Sequence, residues 1–147
     1  MVTHNLKVCI STLPRSGKSI EGELCIKAFN KLLNRSDILF TQAPCIVGVL
    51  EHKLNGALLR ANITADYEQQ CGVCSVFQHR RTKVPINIKF QPRPNEHVTN
   101  GNYIDDDIDI SYYDNDIIDI ESLAEEFLII SLDLWWKCEC STEQNST

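Results

Sequence analysis

The sequence has no long apolar run and no leader-like start. None of its hydrophobic stretches approaches the ~20 residues that a membrane-spanning helix needs. Residues 1–7 lack the positive charges followed by an apolar stretch that mark a secretory signal. We therefore expect no membrane association and a cytoplasmic location. In that reducing compartment the seven cysteines would stay as thiols or bind metal.

Basic residues are almost absent from the last third of the chain. Residues 1–94 hold 13 of the 14 Lys and Arg and 6 of the 20 acidic residues, a net charge of +7. Residues 95–147 hold one Lys and 14 acidic residues, a net charge of −13, which brings the whole chain to −6. The first part would attract a phosphate backbone and the second would repel it. Net charge alone therefore neither supports nor excludes RNA binding.

Length and composition predict a single domain over residues 1–147. A chain of this size buries roughly two-thirds of its unfolded surface, and a hydrophobic content of 43% supplies a core. Apolar residues at helical spacing predict a short helix over residues 26–33 that ends near Asn34. Residues 45–50 have the composition of a buried strand, and the following Asn55-Gly56 predicts a hairpin.

Two further stretches alternate apolar and polar residues, which is typical of half-buried antiparallel strands. They cover residues 58–67 and residues 84–90. Residues 95–116 are polar and acidic and predict a mobile acidic loop with a short strand around residues 108–110. Asp119 is suited to cap the helix that follows, whose apolar face contains Ile120, Leu123, Ala124, Phe127 and Leu128. The predicted fold is α+β, a mainly antiparallel sheet with a C-terminal amphipathic helix packed on it.

Two close pairs of cysteines predict a metal site. A C-x-x-C turn directs both of its sulfur atoms to one centre, and a second pair can complete the tetrahedron that zinc prefers. His79 lies near the first pair as a reserve ligand. Two other interpretations stay open, namely thiols without metal and a redox-active C-x-x-C. The predicted ligands of one structural zinc ion are Cys71, Cys74, Cys138 and Cys140.

A basic stretch after the C-x-x-C predicts contacts with RNA or with a partner protein. Lysine and arginine side chains bind phosphates, and an aromatic ring can stack on a base. The alternative is a solvated strand edge, where basic residues discourage pairing with other strands. The residues in this prediction are Phe77, Arg80, Arg81, Lys83, Lys89 and Arg93.

No motif predicts catalysis or a small-molecule substrate. The segment Pro14–Ser19 resembles the end of a phosphate-binding loop, but Thr12 stands where that motif needs its first glycine. The aspartates of residues 105–109 resemble the start of a calcium loop, but Ile110 occupies the position of the required glycine. We interpret both segments as solvated loops and expect no enzyme activity.

The order of three segments resembles a known family. Residues 54–65 form an apolar strand that leads into Cys71-Gly72-Val73-Cys74, and an acidic loop follows. Residues 116–130, DIIDIESLAEEFLII, then precede the terminal cysteines. Over about residues 45–140 this order resembles the YceD-like proteins, also called the large ribosomal RNA subunit accumulation protein family. The chain departs from the family at Val73, where Arg is usual, and at Leu132-Asp133, where Leu-Pro is usual. Its Cys138-Glu139-Cys140 is also tighter than the usual spacing of the terminal ligands.

The resemblance implies a function in accumulation or processing of the large-subunit ribosomal RNA, or in ribosome assembly. It implies no enzyme activity, and the partners it implies are ribosomal RNA or a ribosomal or assembly protein. Two other hypotheses remain. One is a thiol oxidoreductase that uses Cys71 and Cys74, and the other is a protein-binding adaptor with an acidic tail.

Overall fold

A computed structural model describes residues 6–94 and 109–139. No helix within these two ranges is long and apolar enough to cross a membrane. A 3₁₀ turn at Ile10–Thr12 follows the first strand. The other elements, in chain order, are β1 (Lys7–Cys9), β2 (Lys18–Glu23), α1 (Ile26–Leu33), β3 (Ile38–Leu39), β4 (Cys45–Lys53), β5 (Gly56–Gln70), β6 (Phe77–Pro92), β7 (Asp109–Tyr113), β8 (Ile117–Asp119) and α2 (Ile120–Ser131).

The main sheet has the strand order β2-β4-β5-β6-β7, and β3 pairs with β5 beside this path. Every pair in it is antiparallel except β6 with β7, which is parallel. The small strands β1 and β8 form a separate antiparallel pair. The predicted α+β class and the mainly antiparallel sheet are therefore confirmed.

The predicted hairpin joins β4 to β5. Lys53 pairs with Gly56, so that Leu54 and Asn55 form the turn. Asn55 has a φ of 63°, in the left-handed region that asparagine tolerates better than most residues. Gly56 has a φ of 150°, and a Cβ at this position would overlap the carbonyl oxygen of Phe90 on β6. Glycine is thus required here both by the backbone conformation and by the approach of the neighbouring strand.

Alternation along the strands gives the sheet two different faces. The inner face contains the buried side chains of Ile46, Leu59, Ile63 and Ile88, which belong to one core cluster. Both helices pack on this inner face, α1 through Phe29 and α2 through Ile120, Ala124 and Leu128. Neither helix contributes a buried residue to the opposite, outer face. The sheet is therefore covered on one side, as the alternation of β5 and β6 predicts.

The helix predictions agree with the structure in detail. Helix α1 spans the predicted residues and ends at Asn34, which has the left-handed conformation typical of a helix terminus. Asp119 caps α2, because its carboxylate accepts a hydrogen bond of 3.1 Å from the backbone N–H of Ser122. The Ser122 hydroxyl donates a second bond of 3.0 Å to the same carboxylate.

Part of the predicted acidic loop is a strand. Residues 109–113 form β7, which pairs with β6 from Ile88 to Pro92. The expected short strand around residues 108–110 is therefore longer and begins at Asp109, while residues 95–108 lie outside the described part of the chain. The acidic composition concealed the alternation that places Ile110 and Tyr112 together on the outer face.

Replacement of Asp119 by alanine tests the helix cap. The D119A variant should lose about 1 kcal/mol of unfolding free energy, because Ser122 N–H loses its acceptor. D119N is the matched control, since asparagine caps nearly as well as aspartate. Urea denaturation followed by circular dichroism measures both variants. Equal stability of D119A and the wild type would contradict a contribution of this cap.

Candidate metal centre

The C-x-x-C segment forms the turn between the two longest strands. Cys71 directly follows β5, and β6 begins three residues after Cys74. The backbone N–H of Ser75 donates to the Cys71 carbonyl at 3.0 Å, and the N–H of Cys71 donates to the Val76 carbonyl at 3.0 Å. Ser75 adopts a left-handed φ of 65°, which reverses the chain into β6. The turn therefore holds both cysteines at the end of a long, paired hairpin.

Three of the four predicted ligands come together. The sulfur atoms of Cys71, Cys74 and Cys138 all lie within 4.8 Å of one another. The sulfur atoms of Cys74 and Cys138 lie 3.6 Å apart. Cys71 and Cys138 are buried, with only 1% and 6% of their surfaces exposed. The tail after α2 thus returns to the C-x-x-C turn, as the two cysteine pairs predict.

Backbone N–H groups surround the sulfur atom of Cys71. Val73 and Cys74 donate to it from within the turn at 3.3 and 3.4 Å, and Cys138 donates from the tail at 3.3 Å. Burial opposes ionisation of this thiol, but the hydrogen bonds from Cys74, Cys138 and Val73 outweigh it and lower the Cys71 pKa to about 5. The lowered pKa favours the thiolate, which is the form that binds metals.

The geometry of the three sulfur atoms fits zinc. With Zn–S bonds of about 2.3 Å, two sulfur ligands of a tetrahedral ion lie roughly 3.8 Å apart. The separation of 3.6 Å between Cys74 and Cys138 is close to this value, and it is far longer than the ~2.05 Å of a disulfide bond. A polarised thiolate held by N–H donors is also typical of a metal ligand with outer-shell support. The residues present therefore fit a zinc ion.

Within residues 6–94 and 109–139, no other His, Cys, Asp or Glu joins the cluster of three sulfur atoms. The predicted fourth ligand, Cys140, lies outside the described residues. His79, the expected reserve, is directed elsewhere, because its Nε2 atom lies 3.1 Å from Asp66 Oδ1 on β5. His79 is therefore not a ligand in this arrangement.

Contacts outside the thiols also hold the tail on the turn. The N–H of Gly72 donates to the carbonyl oxygen of Trp136 at 2.7 Å. The indole ring of Trp135 lies against Gly72, so closely that a Cβ at this position would overlap it. Arg35, after α1, donates to the Leu134 carbonyl at 3.2 Å. Gly72 is thus suited to the C-x-x-C because a Cβ at this position would displace the indole ring of Trp135.

Arg80 connects the inner face of the sheet to the tail. Its guanidinium donates to Asp133 Oδ2 at 2.9 Å and to Gln69 Oε1 at 2.7 Å. It also lies over the ring of Trp136, 4.8 Å from the centroid, in a cation–π contact. Gln69 is fully buried, and its Nε2 atom donates to the Asp133 carbonyl at 3.3 Å. The network satisfies both polar ends of this buried amide.

The structure divides the six residues of the predicted basic surface. The prediction of one continuous basic surface is wrong for Arg80. The alternation of β6 places this side chain on the inner face, where it contacts the tail. Arg93 forms an ion pair of 2.9 Å with Asp114. The remaining four share the outer face of β6, and they are Phe77, Arg81, Lys83 and Lys89.

Sequence reasoning missed the contribution of Gln69 and Arg80 to the centre. The sequence does indicate that Arg80 faces inward. The alternation of Ile88, Ile86 and Val84 continues back through residue 82 to Arg80 on the same face. Gln69 likewise continues the inner series of β5. Polar side chains at inner-facing positions of a strand indicate a buried polar network, although the alternation does not identify its partners.

Neighbouring arginines on β6 offer a matched test of this network. R80A should lose about 2 kcal/mol of unfolding free energy, because buried Gln69 and the Asp133 carboxylate lose a charged partner. R81A should change it by less than about 0.5 kcal/mol, since Arg81 is exposed on the outer face. Urea denaturation with tryptophan fluorescence reports on both. Equal effects of R80A and R81A would contradict this division of the two faces.

Comparison with family models, with curated proteins and with solved structures finds no match to this chain. The resemblance to the YceD-like proteins therefore rests on the motifs of the sequence itself. It stays a prediction.

Proposed function

We propose that this protein is a non-enzymatic factor in the accumulation or processing of large-subunit ribosomal RNA, or in ribosome assembly, and that it acts by binding. The observation that carries the proposal is the meeting of Cys138 with the C-x-x-C turn. This contact brings together the C-x-x-C and the terminal cysteine, two of the segments on which the resemblance to the YceD-like family is based. The proposed location is the cytoplasm, where thiols remain available to bind metal.

In this proposal one structural zinc ion joins the turn to the tail. Cys71, Cys74 and Cys138 supply three thiolates, and Cys140 is the proposed fourth ligand. A closed site of four sulfur ligands stabilises a fold and leaves no open position for a substrate. The burial of Cys71 supports this assignment over a thiol oxidoreductase, because an attacking thiolate must be accessible to its substrate.

Metal analysis of protein purified without chelator tests the zinc assignment. The wild type should contain one zinc ion per chain, and C71S, C74S and C138S should each lose it, because each removes a converging ligand. C9S, C25S and C45S are matched controls outside the cluster and should retain the zinc. C140S should weaken zinc binding if Cys140 is the fourth ligand.

Two results would overturn the zinc assignment. Wild-type protein without zinc, even after refolding in its presence, would show that the thiols do not form a metal site. Retention of zinc by C71S, C74S and C138S would place the metal elsewhere. Rapid alkylation of Cys71 in metal-free wild type, with reversible formation of a disulfide, would favour the oxidoreductase.

The outer face of β6 supplies the proposed RNA-binding surface. Phe77, Arg81 and Lys83 alternate along this face and are all exposed. Neither Arg81 nor Lys83 has an ion pair within residues 6–94 and 109–139. Two adjacent cations with an exposed ring can hold phosphates and one stacked base of a single strand. The alternative that these residues only protect a strand edge also stands, because β7 pairs with β6 only from Ile88 onward.

Reversal of the two exposed charges tests this surface. R81E/K83E should weaken binding to large-subunit ribosomal RNA and reduce the slope of log affinity against log salt by about 0.7 per lost phosphate contact. K27E/K31E on the opposite helix α1 introduces the same charge change and should preserve most of the binding. Filter binding over a salt series measures both.

The same variants test the cellular function. In cells that depend on the protein, R81E/K83E should lower the ratio of large- to small-subunit ribosomal RNA, and K27E/K31E should not. A normal ratio with R81E/K83E, despite lost RNA binding, would contradict direct action through this surface. An unchanged ratio after complete removal of the protein would overturn the proposed function itself.

A further inference from the structure

A second surface lies on the other side of the molecule, where α1 and α2 leave a groove between them. Its volume is about 490 Å³, and it is lined by Leu32, Ser122, Glu125, Glu126, Ile129 and Ile130. We call it the helix groove. The side chains of Leu32 and Ile130 are 59% and 75% exposed, although both are aliphatic. Two aliphatic side chains on facing helices thus border this open groove in contact with water.

The charged residues of the helix groove are all acidic. Glu125 and Glu126 are part of its lining, and the lining contains no Lys, Arg or His. Burial raises the pKa of Glu125, and the charges of Glu121 and Asp119 raise it further. Lys31 of α1 is exposed beside Leu32 but does not line the groove. The groove therefore combines apolar contacts with a negative potential.

The end of α2 increases this potential. The last turn of α2 contains no basic residue, so that the partial negative charge of the helix C-terminus is not balanced there. Ile130 belongs to this turn. A second groove, of about 310 Å³, lies between α2 and β7 and shares Glu126 and Ile130 with the first. Its lining adds Asp109 and again contains no basic residue.

We propose that the helix groove binds a cationic amphipathic segment of a partner protein. Aliphatic side chains of that segment would cover Leu32 and Ile130, and its lysines or arginines would pair with Glu125 and Glu126. Such a segment would also place positive charge at the end of α2, where it is favourable. Binding of an apolar helix face in a groove between helices is a common mode of peptide recognition. A nucleic acid is disfavoured, since the acidic wall repels phosphates.

This inference goes beyond the proposed function, because it concerns the opposite side of the sheet. RNA binding through β6 can fail while the helix groove still binds its segment, and the reverse also holds. The two proposals therefore have separate experiments with different variants.

The test uses two synthetic probes, a fluorescent 14-residue amphipathic peptide of Leu and Lys and its counterpart of Leu and Glu. Fluorescence anisotropy with the full-length protein measures both. The Leu-Lys peptide should bind, and the Leu-Glu peptide should not. I130S should weaken binding by about tenfold, the order of effect of one buried aliphatic side chain. E125Q/E126Q should weaken it and reduce its salt dependence.

Matched controls separate the groove from general charge attraction. V47S removes an exposed aliphatic side chain from the outer face. E51Q/E68Q removes the same charge as E125Q/E126Q, but also on the outer face. Both controls should leave peptide affinity close to that of the wild type. Circular dichroism checks that every variant is folded.

Three outcomes would overturn the proposal. The first is equal binding of the two peptides, which would remove the argument from charge. The second is an equal loss with groove and control variants, which would indicate attraction to the whole molecule. The third is displacement of the Leu-Lys peptide by single-stranded oligouridine without any effect of I130S, which would assign the contact to another surface.

Discussion

The attachment of the tail to the C-x-x-C turn is the interaction on which this end of the sheet depends. Three sulfur atoms from two distant segments lie within 4.8 Å of one another, and the N–H of Cys138 donates to the sulfur of Cys71. Thiolates this close repel one another unless a cation or their protons neutralise them. A bound zinc ion would remove that repulsion and make the contact favourable. The same attachment brings Trp136 and Asp133 to the sheet, so the thiol centre and the Arg80 network depend on each other.

Arg80 explains why the tail is needed at this end of the sheet. The two helices cover the apolar part of the inner face, but Gln69 and Arg80 extend beyond it on the same face. A buried amide without partners would destabilise the fold by about 1–3 kcal/mol. The tail supplies the Asp133 carboxylate, its carbonyl and an indole ring, and these satisfy both side chains. The described tail therefore covers the inner face of the sheet beside the two helices. Its contacts with the sheet are mainly polar, whereas those of the helices are apolar.

The sequence predicted correctly those parts of the fold that depend on residues close together in the chain. The end of α1 at Asn34, the hairpin at Asn55-Gly56 and the cap at Asp119 each depend on neighbouring residues, and each is present. The parallel pairing of β7 and the pairing of β1 with β8 depend on contacts between distant residues, which composition and periodicity do not contain. Spacing alone grouped Cys71, Cys74 and Cys138 correctly. It failed for Arg80 because sequence proximity to Arg81 concealed their opposite faces.

Ion pairs balance part of the charge asymmetry of the sequence. Ion pairs of Arg80 with Asp133 and of Arg93 with Asp114 join the basic and acidic parts of the chain. The acidic side chains of α2 form no ion pair with the described residues, and Arg81 and Lys83 on the outer face do not form one either. The outer face of β6 carries Arg81 and Lys83, with Asp66 and Glu68 on the neighbouring strand β5, and the helix groove on the other side of the sheet carries Glu125 and Glu126. In the two proposals Arg81 and Lys83 would contact phosphates, and Glu125 and Glu126 would contact a cationic protein segment. Because the two surfaces lie on opposite sides of the sheet, either proposed contact can be changed by mutation without altering the other.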